Sequence, residues 1–468
     1  MDESFIISGS FFGDEGKGSV VDYLASTKNI KENVRYNGGS QACHTVVSNG
    51  IKHKFSQLGS ISLNQESRNY LSEYTVVNPF NLYTEADVLS RTTNIPIEEI
   101  LKNIYISKDS RIVTPYHKLI GQLREIIARE NKRGSVGTGV SETTRTYEET
   151  GIEILMSDLT NQDSLSKEKL RGLYEYTRKF LLDNKDNIDQ TLLKKLVDER
   201  DIFYLTDIQN RDYIINCYSS LIDTNLFNVI NSITEFHQKG NILFEGSQGL
   251  LIDRNYGIRP NTTLLNTTNH NGIILAKELN TEIHKIGAIT PFTSRHGKGL
   301  LPTYSEDIDK RIFDENQTHT YFQGKPRYGW FDVVLAKYSQ SINQNDELFM
   351  TQIDRLSSFK KIKISIAYKY NGIITEDFEN TFDYEIQNNE IIIKTIKQNS
   401  IYLKEYLSKC IPVYIELPGW IRELTKDEIP RELENFLYLI EIYLNTKITY
   451  LGIGEDRNMK LERKIQWM

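Results

Sequence analysis

A lysine and two carboxylates sit among closely spaced glycines near the start of the chain. Residues 5–22 read FIISGSFFGDEGKGSVVD, so Asp14, Glu15 and Lys17 are interleaved with Gly13, Gly16 and Gly18. Glycines let backbone N–H groups approach an anion closely, and a lysine adds a compact positive charge, so the stretch has the makings of a phosphate-binding loop. It is not a Walker A motif, because the positions that would need Gly and Ser or Thr hold Phe11 and Gly18. Carboxylates beside a phosphate are repelled unless they handle a proton or meet a metal, so Asp14 and Glu15 point to acid–base or metal chemistry. An ordinary glycine turn carrying a solvated acidic pair is the plainer alternative.

Further polar, glycine-bearing turns follow. RYNGGSQACHTVVSNG at 35–50 places a lone His44 beyond Gly38 and Gly39, where a histidine serves either catalysis or mere capping. RGSVGTGVSETTRTYEE at 133–149 offers Ser135, Thr138, Ser141, Thr143 and Thr144 and reads as a loop suited to an anion or a sugar, or simply as a flexible surface loop. NILFEGSQGLLID at 241–253 repeats the opening pattern, an apolar run followed by Glu245, Gly246, Gln248 and Gly249. SRHGKG with Arg295, Gly297 and Gly299, then QGKPRYGWFD, then FMTQID ending in Asp354, complete the set.

The elements that must hold these turns alternate. An apolar strand precedes the first loop and a helix over 17–27 follows it. Residues 74–96 read as a strand, a turn at Asn78-Pro79 and a helix beginning after Thr84. A helix spans 116–130, and 164–238 is rich in charged helical pattern without chemical signals. FMTQID is a strand. The alternating segment 361–395 suggests antiparallel hairpins turned at Asn371-Gly372, and 430–444 forms an amphipathic helix. Strands alternating with helices, and polar turns after strands, predict an α/β fold with a large, mostly parallel central sheet and ligands gathered beyond the strands' C-terminal ends.

The 468 residues suffice for a large core, and 39% hydrophobic with 25% charged residues is ordinary for a globular protein. A net charge of −7 argues against a nucleic-acid-coating surface. Three widely spaced cysteines, Cys43, Cys217 and Cys410, suggest neither a disulfide framework nor a zinc site. The apolar run near the N-terminus is short and lacks a basic flank, and no run reaches the length of a membrane span, so a cytoplasmic protein is expected, with neither membrane nor nucleic-acid partner.

Taken in order, GDEGKG at 13–18, GGSQACHTV at 38–46, NPFNLYTE at 78–85, FEGSQGLLID at 244–253, NTT at 266–268, SRHGKG at 294–299, KPRYGWFD at 325–332, TQID at 351–354, ELPGW at 416–420 and GIGEDR at 452–457 resemble adenylosuccinate synthetase. Each block is weak alone; their shared order, from about residue 4 to about 458, is specific. The resemblance implies one synthetase-like domain over 1–468 with a helical subdomain at 160–238, a P-loop-like GDEGKG turn, and a homodimer. It implies a ligase that uses GTP and magnesium to join L-aspartate to IMP through a 6-phosphoryl intermediate, in purine biosynthesis.

It also assigns roles. Asp14 would be the base that takes the purine N1 proton and a metal ligand, with the backbone carbonyl of Cys43 as another. His44 would be the acid at the transferring phosphoryl group, Lys17 a phosphate contact, and Gln248 the amide that orients the purine. Gly13, Glu15, Gly16, Lys17 and Gly18 would hold the GTP phosphates, Asp354 would read guanine, and Gly452 and Gly454 would line its pocket. Gln41, Thr138 and Thr263 would meet the acceptor nucleotide, and Lys325 and Arg327 the amino acid. Relatives that use 2′-deoxyguanylate carry Ser in place of the loop Asp, so Asp14 favours a 6-oxopurine without a 2-amino group.

The chain departs from the family where substrates are recognised. Gln41 replaces Asn, and Cys43 replaces Gly, although cysteine adopts positive φ only at a cost. The nucleotide-phosphate loop is reduced to Thr138-Gly139-Val140-Ser141-Glu142, and the arginine that a neighbouring subunit normally lends has no clear counterpart, with Arg145 a stand-in. In the amino-acid loop Lys325 takes an arginine's place, and lysine does not grip a carboxylate bidentately. Gln352 and Glu455 alter the guanine motif. These departures keep two other functions open: a homologous GTP-dependent ligase for another nucleotide or amine, in nucleotide modification, specialised metabolism or phage-related biology, and a nucleotide-binding protein without turnover.

Overall fold

The first strand, Glu3–Gly9, is buried along nearly its whole length and lies deep within a ten-stranded sheet. On one side of it run Ile242–Gly249, Glu32–Arg35, Arg68–Leu71, Ile104–Ser107 and Asn228–Ile230; on the other run Glu282–Ile289, Glu347–Met350, Lys447–Gly452 and Lys460–Glu462. Every neighbouring pair is parallel except the last, Lys447–Gly452 with Lys460–Glu462. A parallel sheet needs helices on its faces, which explains strands as apolar as FII and LFM. The α/β class expected from the alternation is therefore the observed one. The computed structural model describes residues 2–161, 164–197, 199–223, 226–312 and 321–463. No helix among them is long and apolar enough to cross a membrane.

A second, six-stranded sheet carries Phe292–His296, Pro326–Asp332, Lys361–Tyr370, Glu390–Ile396 and Phe382–Gln387, with Cys410–Pro418 paired to Lys361–Tyr370. Its apolar face closes on helices Val333–Asn343 and Arg431–Leu444 in the largest core cluster, around Phe331, Leu335, Trp420 and Phe436. This sheet corrects the expected hairpin. Lys361–Tyr370 does not fold back at Asn371-Gly372; the chain passes into the helix Glu376–Thr381 first. The tight turn instead lies at Asn388-Asn389, where φ is 49° and 64°, the left-handed pair that a two-residue hairpin loop requires.

Other boundaries shift for local reasons. The helix expected after Thr84 begins at Pro79, because the Asn78 side chain accepts the N–H of Asn81 and proline is already set for the first helical position. Thr84 bonds back to the carbonyl of Phe80 and caps nothing. The stretch 133–149, read as a loop, is a loop only up to Gly139; Val140–Thr150 is a helix that starts from Gly139 at φ 88° and stops at Gly151 at φ 72°. Its threonines are poor helix formers, but Thr143, Thr144 and Thr146 are buried, so tertiary packing overrides propensity. The strand of FMTQID ends at Met350, and Asp354 lies in the short 3-10 turn Ile353–Leu356.

The segment 164–238 is not wholly helical. Helices Ser164–Asp183, Gln190–Leu196, Glu199–Thr206 and Ile208–Asp223 lead into the outermost strand, Asn228–Ile230, and the short helix Ile233–Phe236. Leu170, Leu173, Tyr174 and Tyr218 pack with Tyr116, Leu119 and Leu123 of the helix Pro115–Ala128. The helices thus bury the far end of the sheet, a structural purpose that fits their lack of chemical residues.

Candidate active site

The parallel strands end together at one edge, and the turns that follow them wall a cavity of about 410 Å³. It is lined by Gly13, Asp14, Gly16, Lys17 and Gly18 from the first loop; by Gln41, Cys43 and His44; by Thr138; by Gln248 and Thr263; and by Asp354, Gly452 and Gly454. Residues up to several hundred positions apart in sequence are therefore brought to one place.

The first loop answers the difficulty its two acids posed. Glu15 does not line the cavity. It lies beneath the loop, 1% exposed, where Oε1 accepts the N–H groups of Phe11 (2.8 Å) and Gly13 (2.9 Å) and Oε2 meets Lys17 Nζ at 2.8 Å. Its charge is spent within the loop, so it does not stand where a phosphate would, and it holds the loop's shape instead. Lys17 Nζ also donates to the Gly13 carbonyl at 2.8 Å. Gly9 makes this arrangement possible, since a Cβ there would lie 2.6 Å from Glu15 Oε2 and 2.9 Å from Lys17 Nζ. The remaining acid, Asp14, faces the cavity with its side chain one-third exposed, and its Oδ2 lies 3.4 Å from His296 Nε2. Burial disfavours a charge on His296, but the Asp14 carboxylate and the Gly324 carbonyl outweigh it and hold the imidazole above its ordinary range.

His44 opens the strand His44–Ser48 and is 7% exposed. Its Nδ1 is 2.5 Å from Glu245 Oε1, and its Nε2 is 3.3 Å from the Ser247 carbonyl. Glu245 also accepts from Ser60 N (2.9 Å), Ser60 Oγ (2.5 Å) and Asn33 Nδ2 (2.8 Å), with Arg35 3.9 Å away. Burial works to raise this carboxyl, and Arg35, His44 and Ser60 overcome it, holding it down at about 2. Glu245 is thus ionised. It accepts the Nδ1 proton of His44 and fixes the ring, while burial keeps the imidazole below its usual range. The strain expected at Cys43 does not arise: Cys43 is not among the residues with positive φ, and Gly38 makes the turn at φ 77°, where a Cβ would strike Ser247.

Three amide atoms in the wall lack hydrogen-bond partners among the described residues. Gln248 Oε1 and both Oε1 and Nε2 of Gln41 are shut off from solvent without a hydrogen bond. Leaving such a group unmade costs about 1–3 kcal/mol, so each marks a place where a polar ligand belongs. Toward Asp354 the wall is tied to the first loop, because Gln352, at φ 58°, donates its amide to the Asp14 carbonyl at 2.9 Å. Lys460 Nζ donates to the carbonyls of Gly454 (3.0 Å) and Asp456 (2.9 Å), closing the 452–456 turn. Burial raises the Asp354 carboxyl, against the pull of Arg355.

Lys325 and Arg327 lie outside this cavity. They line an adjoining hollow of about 260 Å³ with Lys298, and Gln323 and Arg133 border both spaces. Arg295, 3% exposed, donates to the carbonyls of Leu300 (2.6 Å) and Asn261 (2.8 Å). Burial and the charge of Arg327 bring it down to about 9, so two guanidinium groups converge here.

A family model described as adenylosuccinate synthetase matches residues 6–461. The chain belongs to the adenylosuccinate synthetase family. Members of this family are ligases that form a C–N bond. The adenylosuccinate synthetase of Halothermothrix orenii is 28% identical over 98% of both chains, and that of Gloeothece citriformis is 29% identical over 97% of this chain and 93% of its own. Among solved structures, the fully ligated adenylosuccinate synthetase of Plasmodium falciparum shares the fold at a TM-score of 0.76, with 21% identity over 98% of this chain and 99% of that one. The cyanophage S-2L succinoaminodeoxyadenylate synthetase, solved with dGMP and dATP as an energy donor, is similar at a TM-score of 0.58, with 13% identity over 99% and 95%.

Adenylosuccinate synthetases are GTP-dependent and use magnesium, and the donors here suit that ion. Magnesium is held through one or two carboxylates and substrate phosphates. Asp14 and the Cys43 backbone share the cavity with the phosphate loop, and no group of three or more His, Cys, Asp or Glu that could cage a metal occurs among the described residues. Sequence reading did not assign roles to Glu245, His296, Arg133 or Lys460. SRHGKG and FEGSQG flagged two of them as motif members, but only the tertiary contacts say what they touch.

Proposed function

We propose that this chain joins L-aspartate to IMP at the expense of GTP. The observation that carries the reading is Asp14: a carboxylate within a phosphate loop, facing a cavity whose wall presents the unpartnered amides of Gln41 and Gln248. A group that must hold phosphate needs no carboxylate there; one that must also take a proton from the attacking nucleophile does.

The purine stands against Gln248 and Gln41, its 5′-phosphate toward Thr138 and Thr263. Asp14 takes the N1 proton, which makes O6 nucleophilic. O6 bonds to the γ-phosphorus while the bond to the β-bridging oxygen breaks and GDP leaves. The N–H groups of Gly16 and Gly18, with Lys17, balance the charge that develops on the phosphoryl oxygens. The incoming triphosphate draws a second proton onto His44, whose Nε2 then serves the leaving oxygen while Glu245 holds Nδ1. Magnesium bound at Asp14 and the Cys43 carbonyl would supply further neutralisation of phosphate charge. Lys325 and Arg327, beside Arg295, hold the carboxylates of aspartate, whose amine displaces phosphate from C6. Asp354 accepts from guanine N1–H and N2–H₂, and the Gly452 to Gly454 turn receives the ring. The homodimer and the cytoplasmic setting expected from the resemblance belong to this reading.

The test is a substrate matrix. Purified protein with GTP and magnesium is offered IMP, dIMP, GMP or dGMP, each with aspartate or another amine, and products are weighed by mass spectrometry. Adenylosuccinate from IMP and aspartate is the expected product. Turnover only with another nucleotide or amine makes the chain a homologous ligase of different specificity, and no phosphate release with any pair makes it a binding protein.

A further inference from the structure

Between the strand Glu347–Met350 and the 3-10 turn Ile353–Leu356, two neighbouring side chains reach back to the first loop. Thr351, 3% exposed, donates from Oγ1 to the Glu15 carbonyl at 2.8 Å, and Gln352 donates from Nε2 to the Asp14 carbonyl at 2.9 Å. They hold two successive peptide groups of the phosphate loop. A trans peptide sets its N–H opposite its C=O. Pinning these carbonyls therefore turns the N–H groups of Glu15 and Gly16 away from residues 351–352, and neither N–H makes a hydrogen bond among the described residues. Free donors of this kind are what a phosphoryl oxygen requires. The Asp14 side chain leaves the Cα that begins the first of these peptides, so the same bond helps to set its direction.

The segment also meets the far end of the cavity. Asp354 lies two residues beyond Gln352, and both line the cavity with Thr351. Gly452, in the wall beside Asp354, packs closely on Thr351: a Cβ there would lie 3.3 Å from Thr351 Cα, and a Cβ on Gly16 would lie 3.3 Å from Thr351 Oγ1. Thr351 thus stands between the 452–456 turn and the phosphate loop, against both. Gln352 holds a left-handed backbone at φ 58°, costly for a residue with a Cβ, so its conformation is imposed by its surroundings.

We propose that Thr351 and Gln352 are positioning residues that couple the donor's base to phosphoryl transfer. Guanine seated on Asp354 settles the 351–354 segment, and that segment sets the loop's peptide groups and the Asp14 carboxylate for reaction. The inference rests on the proposed function for the seat of guanine and for Asp14 as base. It makes base selection a matter of rate. Binding energy from the guanine 2-amino group, remote from the reacting phosphorus, goes into aligning the loop, so a donor without that group loses kcat and not merely affinity.

Inosine triphosphate, which is GTP without the 2-amino group, is the probe. Values of kcat and KM for each donor are measured with saturating IMP, aspartate and magnesium. Wild-type protein is expected to turn over GTP about 10-fold faster than inosine triphosphate at saturation, the effect of one hydrogen bond to a charged group. Thr351→Val and Gln352→Met are each expected to lower kcat for GTP about 10-fold, by the same reasoning, with KM for GTP little changed. Their kcat for inosine triphosphate is expected to stay near the wild-type value, so the two donors become equivalent. Thr351→Ser, which keeps the hydroxyl, is expected to retain the preference for GTP. The threonine pair decides the matter even where Gln352→Met does not fold. Equal loss of kcat with both donors would mean a structural role and overturn the coupling, as would a loss confined to KM. Wild-type protein that forms adenylosuccinate from both donors at one rate would sink the coupling alone, and wild-type protein that forms none with GTP would sink the proposed function itself.

Discussion

Asp14→Asn is expected to lower turnover by about 10²- to 10⁴-fold, the range for loss of a positioned general base, while GTP still binds. The substitution keeps the side chain's shape, and the loop it sits in does not depend on its charge. Glu15 and Lys17 fix that loop from beneath through their buried ion pair and the N–H groups of Phe11 and Gly13. The Asp14 contribution to loop geometry is its backbone carbonyl, which Gln352 holds and which asparagine retains. What is lost is the group that accepts the N1 proton, and without it O6 remains a poor nucleophile. Steady-state rates of phosphate release, read beside GTP binding by calorimetry, check the outcome. Activity near that of the wild type would remove Asp14 from the role of base. Loss of GTP binding in step with turnover would show that the carboxylate serves the phosphate loop instead.

The second large effect falls on a residue that need not touch substrate. Glu245→Gln is expected to destabilise the fold by about 3–5 kcal/mol, the cost of breaking a buried ion pair from one side. It is also expected to lower turnover about as far as His44→Ala. The Glu245 carboxylate offers only acceptors to its surroundings: His44 Nδ1, Ser60 N and Oγ, Asn33 Nδ2, and the Arg35 charge beyond. A glutamine amide must turn an NH₂ toward one of these donors and leaves Arg35 without its counter-charge. It also frees the His44 ring, whose Nδ1 proton then has no fixed acceptor. Chemical denaturation and turnover measured on the same preparation give both readouts. An unchanged denaturation midpoint would refute the buried pair as described. Normal turnover in a destabilised protein would separate Glu245 from His44 function.

The difference between these two residues shows what the sequence could disclose. Asp14, Lys17, His44 and Gln248 lie in short strings where residue type and glycine spacing carry the chemistry, and the structure gathers all four around one cavity. Glu245 stood in the same kind of string, but its meaning lies in contacts 201 residues away at His44 and 185 away at Ser60. Spacing along the chain does not encode such pairs. Glu15 shows the converse: its place in the motif suggested a phosphate contact, and only the packing beneath the loop shows it turned inward. The parallel sheet was legible because apolar runs alternate with helical pattern. The helix Val140–Thr150 was hidden by its threonines and flanking glycines, which score as loop until the buried face is seen.

The central claim is that the purine's own 6-oxygen attacks GTP. IMP carrying ¹⁸O at position 6, incubated with the protein, GTP, magnesium and aspartate in ordinary water, tests this most directly. The mechanism forms the O6–P bond and later breaks the C6–O6 bond, so every inorganic phosphate released is expected to carry the label, in step with adenylosuccinate formed. Unlabelled phosphate would mean that water, and not the nucleotide activated by Asp14, attacks the γ-phosphorus, and would contradict the account.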